Sequence, residues 1–325
     1  MLDCSQKFSF RVHPSMGGIP SMPSYHFLTP NIRRGSSWIA LEVPIVLLEP
    51  RWPRDSRYGD LMPLLNPFFR LPGRWTRRRA RRARMAIQIT ALAIILLVVL
   101  PAYVVYKPPK AVISYFQRRF PDVFFQINTT QKVVALTIDD APSEHTRDLL
   151  DILQAHQVHA TFFVIGNQVP GREEVLVEIV RQGHELGNHA MHDEPSISLT
   201  SDVLSDEIQQ VDHLIDSAYK AAGLQRSARH FRPGSGIFSH RILDVATKLG
   251  YDTILGSIYP HDPFIKYWRV NAWHILSMLR PGAVIVCHDR RSWTAPMLKK
   301  VVPAMKQQGY DIVTVSRLHE LEDRR

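Results

Sequence analysis

One segment divides this chain before anything else can be said of its fold. Ala86 to Tyr106 reads AIQITALAIILLVVLPAYVVY, a run without a single charge. As a helix it is about 31 Å long, the thickness of a bilayer's hydrocarbon core. Eight arginines lie just before it: Arg70, Arg74, Arg77, Arg78, Arg79, Arg81, Arg82 and Arg84. A buried core helix would carry a polar stripe and would not follow such a block. A cleaved signal sequence would lie nearer the start of the chain and be shorter. The expectation is a single transmembrane helix over 86–106, with Pro101 kinking its end.

The flank after the span, with Lys107, Lys110, Arg118 and Arg119, is less densely basic. The positive-inside rule therefore puts residues 1–85 in the cytosol. Everything after about residue 107 is then lumenal or extracellular, in the secretory pathway or at the plasma membrane, as in a single-pass type II membrane protein. Asn128-Thr129-Thr130 is an N-glycosylation sequon on that outer side. The net charge of +10 would suit a nucleic-acid binder if it were spread out, but it is concentrated in the arginine block. Beside a span, the Arg70–Arg84 region fits contact with anionic lipid, and no nucleic-acid partner is expected. Cys4 and Cys287 stand far apart with no CxxC, which excludes a disulfide framework and a cysteine-based zinc site. Cys287, in an apolar run, reads as a small core residue.

Residues 1–85 carry ten of the 23 prolines and no sustained apolar periodicity, so they read as a disordered basic region. Residues 107–131, opening on Pro108-Pro109, read as a stalk. From 132 to 320 short apolar runs alternate with helical periodicity. Strand-like runs fall at 132–138, 159–165, 184–188, 229–232, 251–256, 283–287 and 311–315. Helix-like segments between them include Glu173 to Gln182, Asp202 to Ala222 (apolar at Val203, Ile208, Val211 and Ile215) and Ser239 to Leu249. Repeated βα units predict an α/β domain with a parallel sheet, and so many strands in so short a stretch favour a small barrel. In such barrels the chemistry sits at the C-terminal strand ends.

Polar clusters fall at those ends. Asp139-Asp140 follows the first run; successive strand residues point to opposite faces, so one carboxylate can face a metal and the other a water. His184-Glu185-Leu186-Gly187-Asn188-His189 continues to His192 and Asp193. His189 with His192 or with Asp193 has the spacing to converge on one cation. Arg232-Pro233-Gly234-Ser235-Gly236 puts a guanidinium on a stiff turn, where it can orient a carboxylate. Tyr259-Pro260-His261-Asp262 and His288-Asp289 complete the set, with His288 placed as a proton donor.

The ordered set resembles the polysaccharide deacetylase family, the NodB homology domain, over roughly 130–318. The family's T-F-D-D-G-P stands here as Thr137-Ile138-Asp139-Asp140-Ala141-Pro142, and its G-H-E-I-G-N-H as Gly183 to His189. Its R-P-P-[YF]-G stands as Arg232 to Gly236, and its late apolar-L-H motif as Ile285-Val286-Cys287-His288. The resemblance implies a distorted (β/α) barrel and a metal-dependent N-deacetylase of chitin-like, N-acetylglucosamine-containing glycans. By that resemblance Asp140 and His189 are metal ligands and Asp139 is the general base. Arg232 then orients the base, His288 is the general acid, and Asp262 tunes it. The implied cofactor is a divalent ion, zinc first, with cobalt, manganese or nickel as alternatives.

The chain departs from the pattern where the family's second metal histidine belongs: Asp193 stands there, with His192 one place earlier. Asp193 is the expected third ligand and His192 the runner-up, which would make a harder donor set than Asp-His-His. Gly234-Ser235 replaces a proline and an aromatic, and Trp293 offers either a sugar-stacking face or core packing. Two other functions fit parts of the pattern. One is a catalytically impaired glycan-binding relative. The other is a type II membrane glycosyltransferase, which leaves Arg232 and His288 without a task.

Overall fold

A nine-residue strand buried along its whole length, Val133–Ala141, is the axis of the fold. The computed structural model describes residues 31–34, 37–40 and 74–323. Expectations for the other N-terminal residues lie outside the described residues. Contacts divide the chain into two units, Met1–Arg81 and Arg82–Arg325. In the first, β1 (Asn31–Arg34) and β2 (Ser37–Ala40) pair antiparallel.

Helix α1 (Arg74–Ile94) passes through a π-helical turn (Ile95–Val99) into α2 (Leu100–Tyr106). The helix thus begins at Arg74, about three turns before the expected start, because arginine and alanine both favour helix. The π turn lies just before Pro101, whose missing N–H interrupts the hydrogen-bond ladder. Arg77–Tyr106 is long and apolar enough to cross a membrane by length and composition.

The stretch expected to be a stalk is part of the domain. It forms α3 (Lys110–Arg119) and β3 (Val123–Phe124). Ile113, Val123, Phe125 and Leu243 make one buried cluster, and burying such side chains stabilises by roughly 1.5–3 kcal/mol each. Aromatics that look irregular in sequence here fill the sheet's edge.

The remaining elements alternate: β4 (Val133–Ala141), α4 (Thr146–Ala155), β5 (Thr161–Val164), α5 (Glu173–Arg181), β6 (Glu185–Asn188), α6 (Ser201–Ala222) and β7 (His230–Phe231). Then come α7 (His240–Lys248), β8 (Asp252–Ile254), α8 (Trp268–Met278), β9 (Val284–His288), α9 (Thr294–Gln307), β10 (Asp311–Val313) and α10 (Val315–Asp323). Every expected strand forms. Helix α6 starts where the Thr200 hydroxyl accepts the Val203 N–H and stops at Gly223, a left-handed cap. Its buried stripe runs through Leu204, Ile208, Val211 and Ile215; Val203, expected on it, faces outward.

The sheet is parallel and curled. Strand order is β10-β4-β5-β6-β7-β8-β3, and β9 pairs with β4. The ends of the curl meet where Ile258, just past β8, bridges Ile285 of β9. Gly256 permits that approach, since a Cβ there would lie 2.4 Å from Val286 Cγ2. The result is a curled, parallel α/β half-barrel, and its C-terminal strand ends converge on one rim.

Candidate active site

The two aspartates do not split between opposite faces of β4. The β4–β5 register shifts between Ile138 and Ala141, and Asp140 takes a left-handed backbone (φ 63). That bulge re-aims the second carboxylate, so Asp139 and Asp140 both line one cleft of about 440 Å³. His189, Asp193, Arg232 and His288 line the same cleft.

Register places the first pair. Asp139 and His288 are direct partners on adjacent strands, and His288 Nε2 lies 4.0 Å from Asp139 Oδ2. Arg232 is buried and donates from Nη1 to Asp139 and, at 2.8 Å, to Thr137 Oγ1. Its Nε and Nη2 donate to the carbonyls of Ile254 (3.1 Å) and Leu255 (3.0 Å). Its guanidinium also sits 4.0 Å over the Phe163 ring. Arg232 therefore has no rotational freedom, and neither has the carboxylate it holds. Burial lowers the pKa of Arg232, and Asp139 opposes that shift.

Across the cleft, Asp262 is wholly buried and accepts from His288 twice, from the ring Nδ1 and from the main chain. Burial works against a charged His288, yet Asp262, Asp139 and Asp140 outweigh it and raise its pKa to about 9. Trp293, a candidate sugar platform, donates its indole N–H to the Asp262 carbonyl at 2.9 Å and so braces that loop.

His189 is buried, and its Nδ1 lies 2.6 Å from the Arg232 carbonyl. A carbonyl only accepts, so Nδ1 carries the proton and Nε2 presents a lone pair. Nε2 stands 3.8 Å from Asp140 Oδ1. Burial raises the pKa of Asp140, with His288 and His189 opposing. A desolvated carboxylate beside an imidazole lone pair is a donor set suited to a divalent cation.

The third position is different in kind. Asp193 lies at the exposed rim and pairs with Arg290 Nη1 at 3.1 Å. His192 turns away from the cleft, and its Nδ1 lies 2.9 Å from Glu207 Oε1. Among the described residues, His192, Glu194 and Glu207 form a group whose ligand atoms all lie within 4.8 Å of one another. That group can hold a metal ion by distance, one loop away from the aspartate pair.

Sequence reasoning missed the two arginines that follow His288-Asp289. Arg291 Nη2 stands 3.8 Å from Asp140 Oδ2 and lines the cleft. A second omission is the brace behind the aspartates: Ser143 donates to Asp289 Oδ1 at 2.6 Å, and Thr146 donates to the other oxygen. His184 packs in the core as expected, accepting the Ala160 N–H at 3.1 Å. Cys287 is a buried free thiol.

Residues 126–254 match the family model described as polysaccharide deacetylase. The peptidoglycan-N-acetylmuramic acid deacetylase PdaA of Bacillus subtilis (strain 168) is 30% identical over 206 residues, 61% of this chain and 75% of that protein. The chain belongs to the polysaccharide deacetylase family. It is thereby a hydrolase of N-acetyl amide bonds in polysaccharides. A chitooligosaccharide deacetylase of Bradyrhizobium sp. (strain ANU 289) is 33% identical to this deacetylase over 205 residues, 57% of this chain and 90% of that one. Among solved structures, Bacillus subtilis PdaA, a family 4 carbohydrate esterase, superposes with a TM-score of 0.58 at 28% identity, covering 67% of this chain and 93% of that one. A Bacillus anthracis protein described as a CE4 family pseudoenzyme gives a TM-score of 0.55 at 27% identity, covering 60% and 68%.

Proposed function

We propose that this deacetylase removes acetyl groups, with the help of a divalent cation, from a chitin-like glycan containing N-acetylglucosamine, and releases acetate. The arrangement that carries the reading is Asp139, clamped by Arg232, facing His288 across 4.0 Å while Asp140 and His189 sit beside them. Relatives described as peptidoglycan and chitooligosaccharide deacetylases support the N-acetyl sugar.

The geometry supports the following roles. Asp139 accepts the proton of the attacking water, because Arg232 fixes its orientation without taking its charge. The water oxygen bonds to the acetyl carbon as the C–N bond breaks. His288, kept protonated by Asp262, gives its proton to the departing nitrogen, which leaves as the sugar amine. Asp140 and His189 would hold the cation, and Asp193 would complete the set on release from Arg290. Bound there, the cation would polarise the acetyl carbonyl and lower the pKa of water towards neutrality.

The apolar helix supports a single-pass type II anchor, with the arginine block on the cytosolic side against anionic lipid and the deacetylase domain lumenal or extracellular. An assembled base, clamp and acid argue against an impaired relative. Acetate release from chitin oligomers by the full-length chain, with and without EDTA, tests the proposal. Release abolished by EDTA and by Asp139→Asn is the expected result. Glycan binding without release would transfer the chain to the impaired class, and consumption of a nucleotide sugar would make it a transferase.

A further inference from the structure

The apolar helix does not end in open solvent; it ends on the loop that builds the active site. Tyr106 stacks on His261 with ring centroids 4.9 Å apart and meets His274 edge-on at 4.7 Å. His261 Nε2 donates to the Tyr106 carbonyl at 3.0 Å. Lys107 continues the attachment: Nζ donates to Ser277 Oγ at 2.8 Å and lies 4.7 Å over the Trp273 ring. His261 immediately precedes Asp262, the partner of His288. The last turn of the helix is therefore fastened to the Tyr259–Asp262 loop and to α8.

The surface beside this attachment is unusually apolar for one facing water. Phe264 is 79% exposed, Tyr267 75% and Trp273 58%, with Val270 exposed among them. Tyr267, Val270 and Trp273 recur every third residue across the start and body of α8 and share one broad face. Exposed Lys266 and Arg269 adjoin them in the chain, and Lys110 is exposed just after the helix. Exposed aromatics mixed with lysine and arginine are the composition of a membrane–water interface. Phe264 also lines the catalytic cleft, so this surface and the mouth of the site share an edge.

We propose that Phe264, Tyr267, Val270 and Trp273 form a bilayer-contact surface that holds the mouth of the active site at the level of the lipid headgroups. The occupant is the bilayer leaflet into which the apolar helix runs, because that helix ends beside this face, on His261, Trp273, His274 and Ser277. Lys266 and Arg269 take anionic headgroups. The substrate class follows: an N-acetylated sugar carried on a lipid, or a glycan held close to the membrane. This rests on the membrane anchor and the deacetylase reading proposed above.

Two measurements on the full-length chain in vesicles of phosphatidylcholine and phosphatidylglycerol decide it. The first uses a nitroxide at Tyr267→Cys in a Cys4→Ser background, the native Cys287 being buried. The control label is at Lys248→Cys, exposed at the opposite ends of the strands. The expected result is a Tyr267 label shielded from an aqueous nickel chelate and accessible to oxygen, with the Lys248 label in water. Two equally water-exposed labels would overturn the surface. The second compares acetate release from an N-acetylglucosamine glycolipid and from soluble chitin tetramer, using Tyr267→Ser/Trp273→Ser. Release from the glycolipid should fall about tenfold, with the tetramer unaffected. An equal fall on both would mean that the aromatics stack on the glycan and would overturn the proposal. If the unmutated chain releases acetate from neither, the deacetylase reading fails while the label result still settles the surface.

Discussion

Asp262 grips His288 at two points: Oδ1 lies 2.9 Å from the ring Nδ1 and Oδ2 accepts the main-chain N–H at 2.8 Å. The carboxylate thus fixes the ring, its tautomer and its charge together. The pKa of His288 stands near 9 although burial opposes its protonation. As general acid it works only when protonated, so activity is present below that pKa and lost as pH rises through it. Replacing Asp262 by Asn keeps the shape and removes the charge. The alkaline limb of the kcat profile for acetate release should move down by about one to three pH units. An unmoved limb would remove His288 from the acid role.

Asp139 depends on Arg232 in a way a lysine cannot reproduce. One planar group reaches Asp139, Thr137 and the carbonyls of Ile254 and Leu255 at once. Asp139→Asn removes the base, and kcat should fall by about a hundred- to ten-thousandfold. Arg232→Lys leaves buried carbonyls unpaired at about 1–3 kcal/mol each, so it should lower both kcat and the unfolding midpoint. Steady-state kinetics and thermal unfolding of the two variants check this. Arg232→Lys at unmutated activity would show that the clamp is dispensable.

The apolar strand runs were readable because both faces of a parallel sheet are covered, which leaves continuous stretches such as Val133 to Ile138. Strand β3 was not, since Val123-Phe124 is too short to show a period and owes its state to pairing with β8. The aspartate pair was visible, but the bulge that turns both carboxylates inward was not, because register shifts arise between strands. His189 was legible from its motif. Asp193 was legible as a position but not as the partner of Arg290, a residue 97 positions away in another loop. His192 matched a ligand spacing, yet Glu207 on α6 draws it off, and only the packing of α6 brings that carboxylate within reach.

Metal affinity should separate the three positions in the second cluster. His189→Ala removes the Nε2 lone pair of a ring whose Nδ1–H donates to the Arg232 carbonyl, and Asp140→Asn removes the buried charge. Each should abolish binding of zinc, or of the ion found natively, in calorimetric titration of the full-length chain. Asp193 must leave Arg290 before it can bind, so Asp193→Ala should weaken binding by less, and Arg290→Ala should strengthen it. His192→Ala should change nothing at this site. If His192→Ala or Glu207→Gln abolished binding instead, the ion would belong to the neighbouring His192, Glu194 and Glu207 group.

His184 sets a limit on stability in acid. It is buried, and its Nδ1 accepts the Ala160 N–H, so the ring must stay neutral at that nitrogen. Burial, with His159 nearby, lowers its pKa from 6.5 to about 4. The unfolded chain takes up the proton first. Stability is therefore full above about pH 6.5 and is lost progressively as pH falls towards about 4. A difference of that size between the folded and unfolded chains corresponds to a loss approaching about 3 kcal/mol. His184→Gln retains an acceptor for Ala160 and cannot titrate, so it should cost some stability near neutrality but decline less on acidification. Thermal unfolding of the detergent-solubilised full-length chain, followed from about pH 7 to about pH 5, should show the two proteins converging as acid is added. Parallel curves would mean that acid sensitivity originates elsewhere, with the buried Glu185–His230 pair the next group to test.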